Sequence, residues 1–394
     1  MALDPRKERI YYQDPYQFTF EALVTSSMPQ AGRYVVRLDR TAFYPASGGQ
    51  PSDRGTLGGH PVLAVDQDAE GVFHLTHAPL AVGERVVGEV DGALRLEHMR
   101  HHTAQHLLSA AFLQRGWQTQ GFHLGPEVAH VDLRGGPLDL DAAREVELVA
   151  NRVVWENRPV SDRWLEPEAA AALGLRRPPA VTGPVRVVEI EGWDLCPCGG
   201  THVRATGEIG SIRICALDRA HQGARVTFVA GERALRDAWR RFDALARAAR
   251  QLSVEPLEVP EALIRARERE REREQVSEAR LSRLVELEAQ AMRQVARNPD
   301  DIRGIFKDRD PLEVERLARR LGELGSFCLL VAENPGAPGR VYAARGEGEG
   351  ADLGEALRGA LAASGGKGGG SVRWAQGVLG ALADAKAFLN EFRP

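Results

Sequence analysis

LEHMRHHTAQHLLSAAF, residues 96–112, decides the fold. Leu94, Met99, Leu107, Leu108, Ala111 and Phe112 recur at helical spacing around it, so Gly92 to Arg115 reads as one helix. That helix carries His98, His101, His102 and His106. His98, His102 and His106 stand four apart and share a face. Bonds from zinc to imidazole nitrogen are roughly 2.0–2.1 Å, so ligands must converge on a point. Rings one turn apart can converge. Rings two turns apart are separated by about 12 Å of helix rise and cannot. A metal pair is therefore His98/His102 or His102/His106, and His101 is free for another task.

The complementary stretch is DLCPCGGTH, residues 194–202. A thiolate and an imidazole on a tight Gly-Gly turn reach one ion, and with a helix pair they complete a tetrahedral set. The chain has only four cysteines, Cys196, Cys198, Cys215 and Cys328, so two of them in CPC beside a histidine is not random usage. In a reducing compartment such residues are thiols or ligands rather than disulfides. Cys196 competes as an alternative ligand, a supporting group or an unused neighbour. The plain alternative is a purely structural zinc. Against it, the donors come from two distant segments in polar, Gly-rich surroundings.

At 394 residues the chain is long for one domain. Hydrophobic residues at 43% allow real cores, and the net charge of −4 argues against a general nucleic-acid coat. No apolar run approaches a membrane span, and MALDPRKERIYY has no secretory pattern, so a cytoplasmic protein is expected. Residues 1–90 alternate like short strands and suggest a small β-barrel. Within them FYPASGGQPSDRG, residues 43–55, is either a long hairpin turn or a loop that approaches a ligand. Residues 91–230 mix the histidine helix with strands near 130–133, 185–190, 211–216 and 224–229 and a helix near 141–156. Residues 231–300 are a charged helical arm centred on RARERERERE, with room for a hairpin or coiled coil. Residues 301–394 read as a compact α/β module with helices at 311–324 and 351–363, strands at 326–332 and 340–344, a Gly-rich loop and a last helix. The fold class is α+β.

HTAQHLL at 102–108 and CGGTHVRATGEIG at 198–210 resemble the paired metal motifs of the alanyl-tRNA synthetase editing-domain family, whose freestanding members are called AlaX. FYPASGGQPSDRG resembles its Gly-rich motif, and GFHLGPEVAHVDL at 121–133 its pocket-lining strand. SGGKGGGSVRWAQG at 364–377 is similar to the C-terminal module shared with DHH-type phosphoesterases, though SVRWAQ departs from the usual Arg-Pro-Asp-Met-like stretch. The layout is that of the long AlaX form. The resemblance implies one zinc on His102, His106, Cys198 and His202, and a pocket including Gln50, Ser47, Gly48 and Gly49. It implies hydrolysis of alanine tRNA wrongly charged with serine or glycine. With no room for an activation domain before residue 1, no ATP use or aminoacylation is expected.

An aminoacyl ester is labile, so the site must place a water and stabilise an oxyanion rather than supply a strong nucleophile. Zinc can lower the pKa of a water or hold the substrate amino group. His101 or Gln50 would orient the water, the amides of Gly48 and Gly49 would face the oxyanion, and Thr119 or Gln50 would bind the serine hydroxyl. In the C-terminal loop, Gly366, Lys367 and Gly368 form a phosphate nest, with Arg358 and Arg373 beside it. The arm or C-terminal module offers a homodimer contact. The rival readings are another zinc-dependent esterase, a non-catalytic tRNA-binding module with structural zinc, and a thiol redox protein.

Overall fold

The computed structural model describes residues 8–179, 183–220, 223–347, 350–380 and 384–393. The chain forms two compact units, the first reaching Arg247 and the second starting at Ala248.

The first unit begins with six strands: β1 (Thr19–Gln30), β2 (Arg33–Leu38), β3 (Gly55–Leu57), β4 (His60–Asp68), β5 (Gly71–Thr76) and β6 (Arg85–Val90). They close into an antiparallel barrel in the order β1-β2-β5-β4-β3-β6. Alternate residues face inward, so Phe20, Ala22 and Val24 of β1 meet Val36, Leu57, Val65 and Val86 in the barrel core. The 43–54 segment leaves the barrel between β2 and β3. Phe43 stays in the core, and the tip folds back at Ser47–Gln50. Gly48 (φ 55°) and Gly49 (φ 85°) form the two-residue turn, a geometry that needs positive φ at both central positions.

Helix α1 (Gly92–Gln114) follows, its N-terminus capped by the Asp91 side chain, which accepts from the Leu94 amide at 3.0 Å. Every residue from His101 to Phe112 is buried. The sequence pattern suggested one apolar face; the helix is in fact wrapped on all sides. The remaining strands of this unit are β7 (Gln118–Leu124), β8 (Ala129–Arg134), β9 (Val160–Leu165), β10 (Val185–Ile190), β11 (Asp194–Pro197), β12 (Ile212–Ala220) and β13 (Gly223–Ala230), with helices α2 (Leu140–Trp155) and α3 (Pro167–Ala171). One sheet runs β12-β13-β8-β7 and a second β11-β10-β9. Leu107, Leu108 and Phe112 of α1 pack with Val131, Phe228 and Val153 in the core between the larger sheet and α2. The polar residues of α1 are left facing β11 and the 43–54 loop.

Helix α4 (Glu232–Leu252) runs across the unit boundary. The second unit then has α5 (Val259–Val295), β14 (Asp301–Lys307), α6 (Pro311–Glu323), β15 (Phe327–Glu333), β16 (Arg340–Ala344), α7 (Leu353–Ala363), β17 (Lys367–Gly370), β18 (Trp374–Val378) and α8 (Ala385–Glu391). The alternating-charge run lies in α5, where only Val259, Ala262, Val285 and Ala289 are buried. The last two join Val314, Leu317 and Leu321 of α6 in one core. The five-stranded sheet is ordered β14-β15-β16-β18-β17, with β14 parallel to β15. Two expectations are corrected here. Residues 301–307 form a strand that sequence reading passed over, and the Gly-rich segment is no loop. Lys367–Gly370 is an edge strand paired with β18, and Gly368 is tight because a Cβ there would run into Leu361 of α7. The glycines serve packing, so the phosphate nest assigned to Gly366, Lys367 and Gly368 loses its loop geometry. Arg373 is half-exposed and pairs with Glu347 at 3.3 Å. Among the described residues no helix is long and apolar enough to cross a membrane.

Candidate metal centre

His102, His106, Cys198 and His202 come together, all buried, each with a donor atom within 4.8 Å of the others. Helix α1 supplies two rings one turn apart. The turn after β11 supplies the sulfur and the third ring. Cys198 Sγ lies 3.4 Å from His102 Nε2 and 3.3 Å from His202 Nε2. His98 takes no part: it is buried elsewhere, and its Nδ1 has no partner among the described residues.

The outer nitrogen of each ring fixes its tautomer. Gln50 Oε1 receives the Thr201 amide at 3.1 Å, so the oxygen end of that side chain faces the site. His102 Nδ1, at 2.8 Å from the same oxygen, must therefore donate. His106 Nδ1 donates to the Asp194 carboxylate at 2.9 Å. The Thr103 hydroxyl donates to the Met99 carbonyl at 2.9 Å, so at 3.1 Å it can only accept from His202 Nδ1. With all three Nδ1 atoms protonated, the inward nitrogens are lone pairs aimed at a sulfur. Converging acceptors repel unless a cation sits between them, and three imidazoles with one thiolate are the donors a tetrahedral metal takes. The residues thus fit a metal on grounds independent of motif.

Electrostatics agree. Burial pushes His102 down and His202 to about 3, which keeps both rings neutral. Burial would also lower His106, but Asp194 and Cys198 pull it up. Burial would raise the Cys198 thiol, yet its place among the histidines holds it well below the usual thiol range. Cys196 behaves oppositely, pushed up to about 11 by burial. It sits near His106 and Asp194, but Asp194 already binds Arg176 at 2.7 Å, which disfavours it as a metal ligand.

The turn itself is held by Arg186, a residue the sequence did not single out. Its Nη1 donates to the carbonyls of Cys198 at 3.0 Å and Gly200 at 2.8 Å, and its Nε to Asp162. Gly200 is obligatory for a steric reason. A Cβ there would overlap the His102 ring and stand 2.9 Å from Gln50 Oε1. Gly200→Ala should therefore lower metal affinity by roughly 10- to 100-fold, as losing a ligand's outer support does. Competition against a chromogenic chelator measures this, and an unchanged affinity would show that the turn yields instead.

The other anticipated pocket residues are placed as follows. Gln50 is buried, with Oε1 on His102 and Thr201 and one Nε2–H on Thr201 Oγ1 at 2.9 Å. It orients a ring through Oε1, and its second N–H is the one donor that these contacts leave for a water or a substrate hydroxyl. His101 is on the far side of α1, its Nδ1 on the Glu97 carbonyl at 2.9 Å and its Nε2 accepting from the Ala230 amide at 3.1 Å, so it has no lone pair for a water. Ser47 bridges Gln50 across the turn, Gly48 is exposed, and Gly49 presses on β7, where a Cβ would meet the Phe122 carbonyl at 2.6 Å. The turn meets β7 through the Gly49 carbonyl, which accepts from the Leu124 amide at 2.9 Å. Thr119 lines a cavity of about 200 Å³ that begins at His106. Thr119 Oγ1 and Gln105 Nε2 each stand 2.7 Å from Ser109 Oγ, and Gln105 Oε1 is buried there without a partner among the described residues.

Residues 185–226 match the family model described as the threonyl and alanyl tRNA synthetase second additional domain. The chain is 34% identical over 395 residues to the alanine–tRNA ligase of Methanoregula boonei, covering 95% of this chain and 42% of that protein. It is 32% identical over 406 residues to the enzyme of Archaeoglobus fulgidus, covering 98% of this chain and 44% of that protein. The chain thus spans less than half the length of these curated relatives. Among solved structures, the C-Ala domain of Aquifex aeolicus alanyl-tRNA synthetase matches 23% of this chain at 19% identity, with a TM-score of 0.21, too low to argue a shared fold.

Proposed function

This chain is a homologue of the alanyl-tRNA synthetases over 95% of its length, and we propose that it acts as a trans-editing deacylase, hydrolysing the ester of alanine tRNA charged with serine or glycine, with zinc on His102, His106, Cys198 and His202. The observation that carries the reading is the junction of that four-donor cluster with the small polar cavity of Thr119, Ser109 and Gln105. When bound there, zinc supplies a Lewis acid beside the ester.

The chain's own residues do the rest. Gln50, Asp194 and Thr103 fix the three ring orientations, so little reorganisation is needed when substrate arrives. The cavity is sized for a small amino acid. Its hydroxyls and the unpartnered Gln105 carbonyl suit a polar β-substituent. A serine hydroxyl satisfies the Gln105 carbonyl, whereas an alanine methyl leaves it buried and unpaired. Glycine, with no side chain, leaves that volume to a water that can meet the same carbonyl, which the alanine methyl excludes.

Deacylation of serine-, glycine- and alanine-charged alanine tRNA, with metal analysis of the same sample, tests this. The seryl ester should turn over at least ~100-fold faster than the alanyl ester. Equal rates for serine and alanine, or full activity in a metal-free chain, would overturn the reading. Four buried protein ligands also match a structural site. A metal-loaded chain that hydrolyses none of the three esters would be such a module.

A further inference from the structure

A second cavity, about 510 Å³, lies against Cys198 and Gly199 and shares only Arg177 and Pro178 with the small polar one. Its chemistry is different. Tyr12 and Trp164 meet edge to face with centroids 5.5 Å apart, and the Arg186 guanidinium lies 5.1 Å over the Tyr12 ring. Pro184 and Val185 add flat apolar wall, Arg177 adds an exposed cation, and the described lining includes no carboxylate. The volume falls in the usual range for small-molecule sites, roughly 300–1,000 Å³. Aromatic plates beside arginines are what a base and its phosphate select.

We propose that this cavity holds the terminal adenosine of the aminoacyl-tRNA, stacked against Tyr12 and Trp164. The inference rests on the editing reading above and assigns it a second subsite. An aminoacyl nucleoside has two unlike halves, a small polar acyl group and a flat base. The two cavities have the same two characters and both reach the metal cluster, one at His106 and the other at Cys198. The ester bond joining the halves would then lie beside those two ligands. Arg177, common to both cavities, is placed for the phosphate on the 5′ side of the nucleoside. Arg186 is spent on the Cys198 turn and contributes its face rather than its hydrogen bonds.

The test uses the metal-loaded chain and a non-hydrolysable probe, serine amide-linked to 3′-aminoadenosine, with serinamide as the half-probe. Trp164→Ala and Tyr12→Ala should each weaken binding of the adenosine probe by roughly tenfold, in line with loss of one stacking partner. Trp164→Phe should restore most of it, and serinamide binding should not move. With charged tRNA the same variants should act through KM rather than kcat. Metal content and melting temperature serve as checks on folding. Adenosine-probe affinity unchanged in both alanine variants, or serinamide weakened to the same degree, would overturn the proposal. The two readings separate cleanly. A chain that hydrolyses no charged tRNA but still loses probe affinity at Trp164 retains the base subsite without the editing activity. Undiminished hydrolysis with Trp164 and Tyr12 silent retains the activity without this subsite.

Discussion

Cys198→Ala should abolish metal retention and deacylation together, while Cys196→Ala leaves the metal in place. The two thiols are separated by one proline and have opposite surroundings. Cys198 faces the inward nitrogens of His102 and His202 and receives the Gly200 amide at 3.4 Å. Cys196 faces the cavity wall, with its nearest potential co-ligand Asp194 already occupied by Arg176 and His106. Removing the anion from the cluster leaves three neutral rings, without the thiolate charge that offsets the dication in a buried site. The loss in affinity should exceed the roughly 10- to 100-fold seen when only an outer hydrogen bond is removed. Metal content by emission spectroscopy after dialysis, read beside seryl-tRNA hydrolysis, decides it. Metal loss from both variants would implicate Cys196 as a ligand. Metal loss from Cys198→Ala with hydrolysis intact would detach the chemistry from the cluster altogether.

Much of the centre was legible because both halves are local. The histidine helix shows its period in the sequence, and the thiol and imidazole share one turn. The helix by itself left two ring pairs open. The fold separates them by what each outer nitrogen can reach: His102 finds Gln50, His106 finds Asp194, and His98 Nδ1 finds nothing among the described residues. Those acceptors arrive from segments 52 and 88 residues away, and spacing carries no trace of that. Thr103 lay inside the motif, yet its part depends on a ring 99 residues further on. Gln50 drew notice as a pocket residue, and its hold on the His102 ring went unseen, because an amide's partners cannot be counted before the chain folds. The Gly-rich β17 misled for a related reason. Glycine runs suggest loops, but here missing side chains let a strand lie under Leu361. The barrel, by contrast, was readable from alternation, since burial on one face imposes period two regardless of partners.

Arg95→Leu should cost about 3–5 kcal/mol of stability, the largest effect expected of any single replacement away from the metal. Arg95 is the largest fully buried side chain among the described residues, and it ties three segments to α1. Its Nε donates to both oxygens of Asp53 at 3.0 Å, its Nη1 to the Pro15 carbonyl at 2.8 Å, and its Nη2 to the Ala42 carbonyl at 2.5 Å. Asp53 in turn accepts from the Tyr44 amide at 2.6 Å. Leucine would leave that carboxylate charged, buried and short of its counter-ion, and two carbonyls without donors. The damage should reach the site as well. Asp53 anchors the segment whose tip presents Gln50 to His102, so metal affinity should fall even in the folded fraction. Pairing the change with Asp53→Leu separates charge from packing: the double variant should be far more stable than the two single losses added, because no lone charge remains. It should still fall short of the parent, since the carbonyls of Pro15 and Ala42 stay unpaired. Urea unfolding of all four proteins gives the cycle, and strictly additive losses would show that the ion pair is not what secures the loop.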